Sequence, residues 1–274
     1  MSALSVQVST RRPRYLAIAV TAAQQAVAYR VNTIAGIIGN FFWIGILYYL
    51  WDAAFAATAQ IESFTWAEMR TYILLAFGIN ALVGFATTSR MMYAIRTGDI
   101  VTDMVRPLNY LRAQLAQTTG LASLEGLASA TIIVVLGTTF IDALPPHSPA
   151  AAALFIVSML LGFVTKFLFV FIVSLLCFWT INSMGLNWAQ LAIVNVLSGT
   201  LVPIALLPGW LQPLAEWSPL RGIVATPVGV YLGQYTGGEL TWNLGLQVGW
   251  LLILWIAADS AWPRAFRAVE TQGG

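Results

Sequence analysis

Charged residues are scarce in this chain. Only 9% of its 274 residues are Asp, Glu, Lys or Arg, whereas 59% are hydrophobic, and the mean hydropathy is +0.78. A soluble protein of this size needs many more charges to cover its surface. Runs of about 20 apolar residues recur along nearly the whole sequence, and a helix of that length crosses the hydrocarbon core of a bilayer. The composition therefore excludes a sizeable soluble domain and predicts an all-α membrane protein.

Residue types that carry chemistry are also scarce. Cys177, His147 and Lys166 are the sole residues of their kinds. A single Cys excludes a disulfide within the chain, and one His with one Cys cannot form a typical zinc site. The sequence around Lys166 does not match a phosphate-binding loop, and no G-x-S-x-G or H-E-x-x-H motif occurs. We therefore expect no catalytic residue, no metal site and no cofactor in this chain.

The apolar runs predict a single transmembrane domain over residues 1–274 with six spans. Residues 15–29 are only moderately apolar, are interrupted by Gln24 and Gln25, and are flanked by arginines. We interpret residues 1–30 as a cytosolic tail followed by an amphipathic elbow helix in the membrane interface, with a poor first span as the alternative. The six predicted spans cover residues 31–51, 71–89, 115–140, 151–181, 188–207 and 240–262.

The arginines predict the orientation of these spans. With both termini in the cytoplasm, only Arg70 and Arg221 lie outside, and Lys166 lies within the fourth span. This is the excess of basic residues expected on the cytoplasmic side. The residues then placed inside are Arg11, Arg12, Arg14, Arg30, Arg90, Arg96, Arg106, Arg112, Arg264 and Arg267.

A basic loop at residues 90–112 follows the second predicted span. It also carries Asp99 and Asp103, and Pro107 can end a helix there. Thr97 or Asp99 can cap the start of such a helix. Asp103 would share one face with Asp99 and another with Arg106. We predict a short cytosolic docking helix rather than a simple turn. The alternative is a solvated loop whose arginines only reflect the excess of basic residues on the cytoplasmic side.

An outer segment at residues 208–239 precedes the last predicted span. It is too apolar for an ordinary external loop, yet prolines interrupt it too often for a spanning helix. We predict two short re-entrant helices that enter the outer leaflet, because irregular backbone at that depth must be buried against protein or water. The whole stretch from 203 to 239, which includes this segment, contains Pro203, Pro208, Pro213, Pro219 and Pro227.

Glu125 and Lys166 are charged residues inside two neighbouring predicted spans. They fall at similar depths on antiparallel spans three and four. Charges within a membrane usually pair or line an aqueous path. We predict a buried ion pair between Glu125 and Lys166; it either fixes the packing of the two spans or forms a polar gate that contacts substrate.

The order of these elements resembles that of an ABC exporter permease of the type-2 class. Two sequence patterns carry the resemblance within a bacterial subfamily of that class. One is Thr97-Gly98-Asp99-Ile100 followed by Met104-Val105-Arg106-Pro107-Leu108; the other is Ser198-Gly199, Pro203, Pro208-x-Trp210-Leu211, Ser218-Pro219-Leu220 and Thr226-Pro227.

This resemblance implies that residues 97–106 form a coupling helix seated on a separate ABC ATPase. The ATPase would bind ATP and Mg. A second permease, identical or homologous, would complete a pathway in a bacterial inner membrane. Membrane lipids would be further partners, and no nucleic acid would bind. The complex would export a hydrophobic or amphipathic substrate by alternating access. The docking residues implied are Thr97, Gly98, Asp99, Asp103, Arg106 and Pro107, and the outer segment contributes Pro203, Pro208, Trp210, Pro219 and Pro227.

Two other classes of function remain open. An intramembrane lipid-modifying enzyme would have to use Glu125, Lys166 and His147, but His147 is predicted outside and far from the other two. A structural or receptor-like membrane subunit would share the composition but would have no need of a capped, proline-terminated loop helix.

Overall fold

The computed structural model describes residues 14–28, 30–82, 91–95, 97, 100, 108–180 and 183–270, without the side chains of residues 28, 30–37, 40, 124, 125, 129 and 266–270. These residues are predominantly helical. The α-helices are α1 (Arg14–Ala28), α2 (Arg30–Phe55), α3 (Trp66–Ala81), α4 (Tyr110–Thr139), α5 (Pro149–Leu175), α6 (Ser183–Leu197), α7 (Gln212–Trp217), α8 (Ala225–Leu232) and α9 (Gly237–Glu270). Short 3-10 turns occupy Leu176–Phe178, Ile204–Leu206 and Pro219–Gly222.

Three long stretches of helix have the length and composition to cross a membrane in the described part of the chain. They are Tyr110–Thr139, Pro149–Phe178 and Gly237–Ala265. Each has about 30 residues, or ~45 Å at ~1.5 Å per residue, against ~30 Å for the hydrocarbon core. These helices confirm an all-α, membrane-embedded architecture. The total of six spans stays a prediction.

The start of α3 is set by a local signal. The hydroxyl of Thr65 accepts from the backbone N–H of Glu68, and a Glu68 carboxylate oxygen accepts from the backbone N–H of Thr65 at 2.8 Å. This capping box begins α3 at Trp66, five residues before the predicted span. A small antiparallel hairpin, β1 (Gln60–Ile61) with β2 (Phe64–Thr65), precedes it and was not predicted.

The fifth predicted span, residues 188–207, is wrong in its bounds. Helix α6 ends at Leu197, so it has 15 residues and is only about 22 Å long. The chain turns at Gly199, whose φ of +83° favours glycine. The carbonyl of Ser198 accepts from the N–H of Ala225, and the carbonyl of Gly199 accepts from the Tyr72 hydroxyl. These tertiary bonds direct the chain away from a continued helix.

Buried apolar side chains form two main clusters at opposite ends of the helices. The outer cluster contains Phe64, Tyr72, Ile141, Ile223 and Val228, contributed by the hairpin, the start of α3, the α4–α5 turn and the outer segment. The inner cluster joins residues 91–95 and Ile100 to the first residues of α4 and the ends of α5 and α9. It includes Met92, Ile100, Leu111, Phe171, Leu175, Ala258 and Ala265. The start of α4 and the end of α9 therefore lie at one end, as the predicted topology requires.

Helix α1 packs closely along α4. Ala22 is buried, and a Cβ atom placed on Gly120 of α4 would lie 2.1 Å from the carbonyl oxygen of Ala19. Only glycine permits this approach of the two backbones. The position of α1 in a membrane interface stays a prediction.

Candidate functional site

Most of the predicted docking helix lies outside the described residues. This applies to Gly98, Asp99, Asp103, Arg106 and Pro107. Thr97 is described and is itself helical, and its hydroxyl donates to the carbonyl of Tyr93 at 3.1 Å. This bond back by four residues is typical of a Thr within a helix. A cap by Thr97 or Asp99 at the start of the docking helix stays a prediction.

The flank of this loop is anchored in the inner cluster. Residues 91–95 are helical and bury Met91, Met92 and Ile95 on one face, while Tyr93 on the other face is 57% exposed. Ile100 is buried in the same cluster, with Phe171 of α5 and Ala258 of α9. Residues 91–95 and Ile100 are thus tied to the ends of two long helices.

The opposite flank is fixed by aromatic packing and a helix cap. Tyr110 stacks on Trp262 of α9, with ring centroids 4.0 Å apart and planes at 12°. The Asn109 side chain accepts from the backbone N–H of Arg112 at 3.1 Å and caps α4. The predicted third span began at residue 115 and missed this cap, although Asn two residues after Pro107 is a readable helix-start signal.

Lys166 lies in a polar cluster that joins three helices. It is 6% exposed, and its Nζ donates to the backbone carbonyl of Asn80 and, at 2.6 Å, to the Asn80 side-chain oxygen. The Asn80 amide then donates to Oδ1 of Asn195 at 2.8 Å. The cluster links α3, α5 and α6. The sequence identified Lys166 as buried but did not predict Asn80 as its partner.

The predicted pair of Lys166 with Glu125 stays a prediction, because the Glu125 side chain lies outside the described part. The backbone next to Glu125 is near the same stretch of α3. A Cβ atom on Gly126 would lie 2.9 Å from the side chain of Leu82, two residues beyond Asn80.

The outer segment does form two short helices, α7 and α8, and its prolines lie at their turns. Pro203 precedes the 3-10 turn at Ile204–Leu206, and Pro219 begins the next, capped by Ser218. Pro208 lies in the exposed turn before α7, and Pro227 is buried in the first turn of α8. Trp210 is 77% exposed. Their depth in the outer leaflet stays a prediction.

A hydrogen-bonded glutamine fastens this segment to the long helices. Gln247 of α9 is buried, and its amide donates at 2.7 Å to the carbonyls of Ser158 on α5 and Gly222. The Ser158 hydroxyl donates back to the Gln247 side chain at 2.9 Å. No role was predicted for Gln247 from the sequence, although a Gln within an apolar span is itself a signal for an interhelical bond.

The α4–α5 turn holds the other side of the segment. His147 donates its backbone N–H to the carbonyl of Tyr231, and the Tyr231 hydroxyl donates to the carbonyl of Leu144. Burial raises the pKa of Tyr231, so this hydroxyl keeps its proton and remains a donor. The backbone of His147 thus joins the α4–α5 turn to α8. Within the described residues, no three His, Cys, Asp or Glu side chains lie together as a metal site.

Comparison with known protein families gives a match to "ABC-2 family transporter protein" over residues 41–273. No relative matched among curated proteins. The family match covers most of the chain, from the middle of α2 to beyond α9. The chain belongs to the ABC-2 transporter family and is a membrane permease component of an ABC transporter.

Proposed function

We propose that this ABC-2 permease exports a hydrophobic or amphipathic substrate by alternating access, driven by separate ATPase subunits that dock at residues 97–106. Two permease chains, identical or homologous, would enclose the pathway in a bacterial inner membrane. Membership of the ABC-2 family supports the general role of a membrane permease. Export, substrate class and the docking site are our proposals.

One observation carries the docking proposal: Met92 and Tyr110 on either side of the 97–106 loop, and Ile100 within it, are buried in the inner cluster. Met92 and Ile100 pack with the end of α5 and the end of α9, and Tyr110 stacks on Trp262. A force applied to the loop would therefore reach two long helices through packed side chains. Packed interfaces respond to such a force by shifting between discrete arrangements rather than by deforming smoothly.

The energetic logic follows from linkage. ATP binding would favour one arrangement of the two ATPases, and the loop would transmit that preference to the helices. The permease would shift state only by as much as the ATPases bind its two states differently. The chain itself needs no nucleotide site for this role.

The test is co-purification of the chain with the ATPase encoded next to it, followed by an assay of ATP hydrolysis. Changing Asp103 and Arg106 together to Ala should weaken assembly or lower hydrolysis by about tenfold, because two charged contacts are lost. The control is Arg264→Ala, which removes an exposed arginine near the end of α9 that lies outside the 90–112 loop and bonds, among the described residues, only to Ser260 of its own helix. Equal effects of the double variant and of this control, or no association with any ATPase, would count against docking at this loop.

A further inference from the structure

A cavity of about 420 Å³ lies under the outer segment. Its walls come from the hairpin, the start of α3, residues 203–205, α7 and the turn after α8. The volume falls within the range of ~300–1,000 Å³ that is common for small-molecule sites. It lies at the outer-cluster end, because Phe64 and Tyr72 belong both to that cluster and to its lining.

Two opposite charges line this cavity without pairing with each other. Glu216 of α7 and Arg221 are both partly exposed to it, and no ion pair joins them in the described structure. The Arg221 guanidinium donates to the Tyr235 hydroxyl at 3.3 Å and lies 5.7 Å from the centre of that ring. These contacts hold one edge of the guanidinium and leave its other donors for a ligand. The carboxylate of Glu216 has no hydrogen-bond partner among the described residues.

The remaining walls suit a molecule that is polar at one end and apolar at the other. Phe64, Ile204 and Ala205 provide an apolar side, and Gln234 adds a neutral polar group. The chain next to the cavity exposes large aromatics: Trp217 follows Glu216, is 63% exposed and contacts Trp242 edge to face. Exposed tryptophans of this kind are typical of the head-group layer of a membrane.

We propose that this outer cavity binds the zwitterionic head group of a membrane amphiphile. The guanidinium of Arg221 holds its phosphate, and the carboxylate of Glu216 holds its ammonium. A planar guanidinium matches two phosphate oxygens, and a carboxylate accepts N–H bonds from a primary ammonium. The site goes beyond the proposed function, because it would bind such a head group whether or not the molecule is transported.

The test is calorimetric titration of the purified full chain in a non-ionic detergent. The probes are dihexanoyl phosphatidylethanolamine, dihexanoyl phosphatidylglycerol, which lacks the ammonium, and free O-phosphoethanolamine, which lacks the chains. The ethanolamine lipid should bind the native chain more tightly than the other two. Glu216→Gln should weaken it about tenfold and leave phosphatidylglycerol unchanged, because a charge-assisted contact to the ammonium alone is lost. Arg221→Gln should weaken both lipids.

Glu239→Gln and Arg264→Gln are the matched controls, since both residues are exposed and neither lines the cavity. Tyr235→Phe removes only the hydroxyl that Arg221 contacts and keeps the guanidinium, so it should weaken binding less than Arg221→Gln. A smaller loss of this kind would distinguish a lost contact from a folding defect in the Arg221 variant. Unchanged binding in the Glu216 and Arg221 variants would refute the site. Tight binding of O-phosphoethanolamine would refute a membrane amphiphile in favour of a soluble ligand. None of these outcomes depends on an ATPase, so failure here leaves the permease proposal untouched.

Discussion

At the scale of single residues, buried polar side chains in the apolar helices hold the fold together through specific partners. The amide of Asn80 on α3 donates to Oδ1 of Asn195 on α6 at 2.8 Å. The contact of Lys166 with Asn80 was not predicted. Charge complementarity suggested Glu125 as a partner, but the sequence alone does not say which helix faces a given side chain. Asn80, near the end of α3, reaches Lys166 of α5 with its carbonyl and side-chain oxygens and Asn195 of α6 with its amide nitrogen.

The first prediction at this scale concerns Glu125 and Lys166. If they pair, Glu125→Gln and Lys166→Met should be non-additive in the free energy of unfolding, with a coupling of at least ~1 kcal/mol. The measurement is denaturation in mixed detergent micelles for both single variants and the double variant. The double variant should be destabilised by less than the sum of the two single-variant effects, because neither charge is then left alone in an apolar site.

A second set of single and double variants, that is, a second double-mutant cycle, serves as the control. Lys166→Met combined with Gln247→Leu joins two polar residues that share no hydrogen bond, because Gln247 bonds to Ser158 and Gly222. Those two changes should add within ~0.5 kcal/mol. If the Glu125 cycle is equally additive, the ion pair is wrong, and the contact with Asn80 becomes the main interaction of Lys166 that the structure supports.

At the scale of elements, local signals place the starts of helices better than their ends. Thr65 with Glu68 starts α3, Asn109 starts α4, and Ser148 with Pro149 starts α5. Each of these caps can be read from a few neighbouring residues. The end of α6 is different, because it depends on bonds from Tyr72 and Ala225, which are distant in sequence. An apolar run continues past Leu197, so hydropathy alone extended that span too far.

Gly162 provides a prediction for the contact of α5 with the outer segment. A Cβ atom there would lie 2.7 Å from the carbonyl oxygen of Gly222 and 2.9 Å from that of Ile223. Both are backbone atoms and cannot rotate away. Gly162→Ala should therefore lower the free energy of unfolding by about 1–3 kcal/mol, as overpacking does.

Gly249→Ala on α9 is the matched control, because a Cβ atom there meets nothing within 4 Å. It should leave stability unchanged or raise it by up to ~1 kcal/mol through helix propensity. Thermal unfolding of the purified chain in detergent compares the two variants. A Gly162 variant as stable as the Gly249 variant would show that α5 and the segment at 222–223 do not pack this closely.

At the scale of the whole molecule, charge placement and cluster placement lead to the same arrangement. The distribution of arginines predicts that the loop at 90–112 and the end of α9 share the cytoplasmic side. The structure places residues 91–95, Ile100, the start of α4 and the end of α9 in one cluster. The hairpin, the α4–α5 turn and the outer segment form the other. The identity of the substrate could not be predicted, because the residues that face a pathway share the apolar composition of those that face lipid.

This arrangement predicts which positions each side of the membrane can reach. Cys177, the natural cysteine, is 7% exposed, so the native chain should react little with a membrane-impermeant maleimide. Glu62→Cys in the hairpin and Glu239→Cys at the start of α9 are exposed positions at the outer end and should be labelled in intact cells. Arg112→Cys is exposed near the inner cluster and should be labelled only after the membrane is opened. Labelling of Arg112→Cys in intact cells, with protection of the other two positions, would show that the topology is the reverse of the predicted one. The loop at 97–106 would then face away from any cytosolic ATPase, and the docking proposal would fail with it.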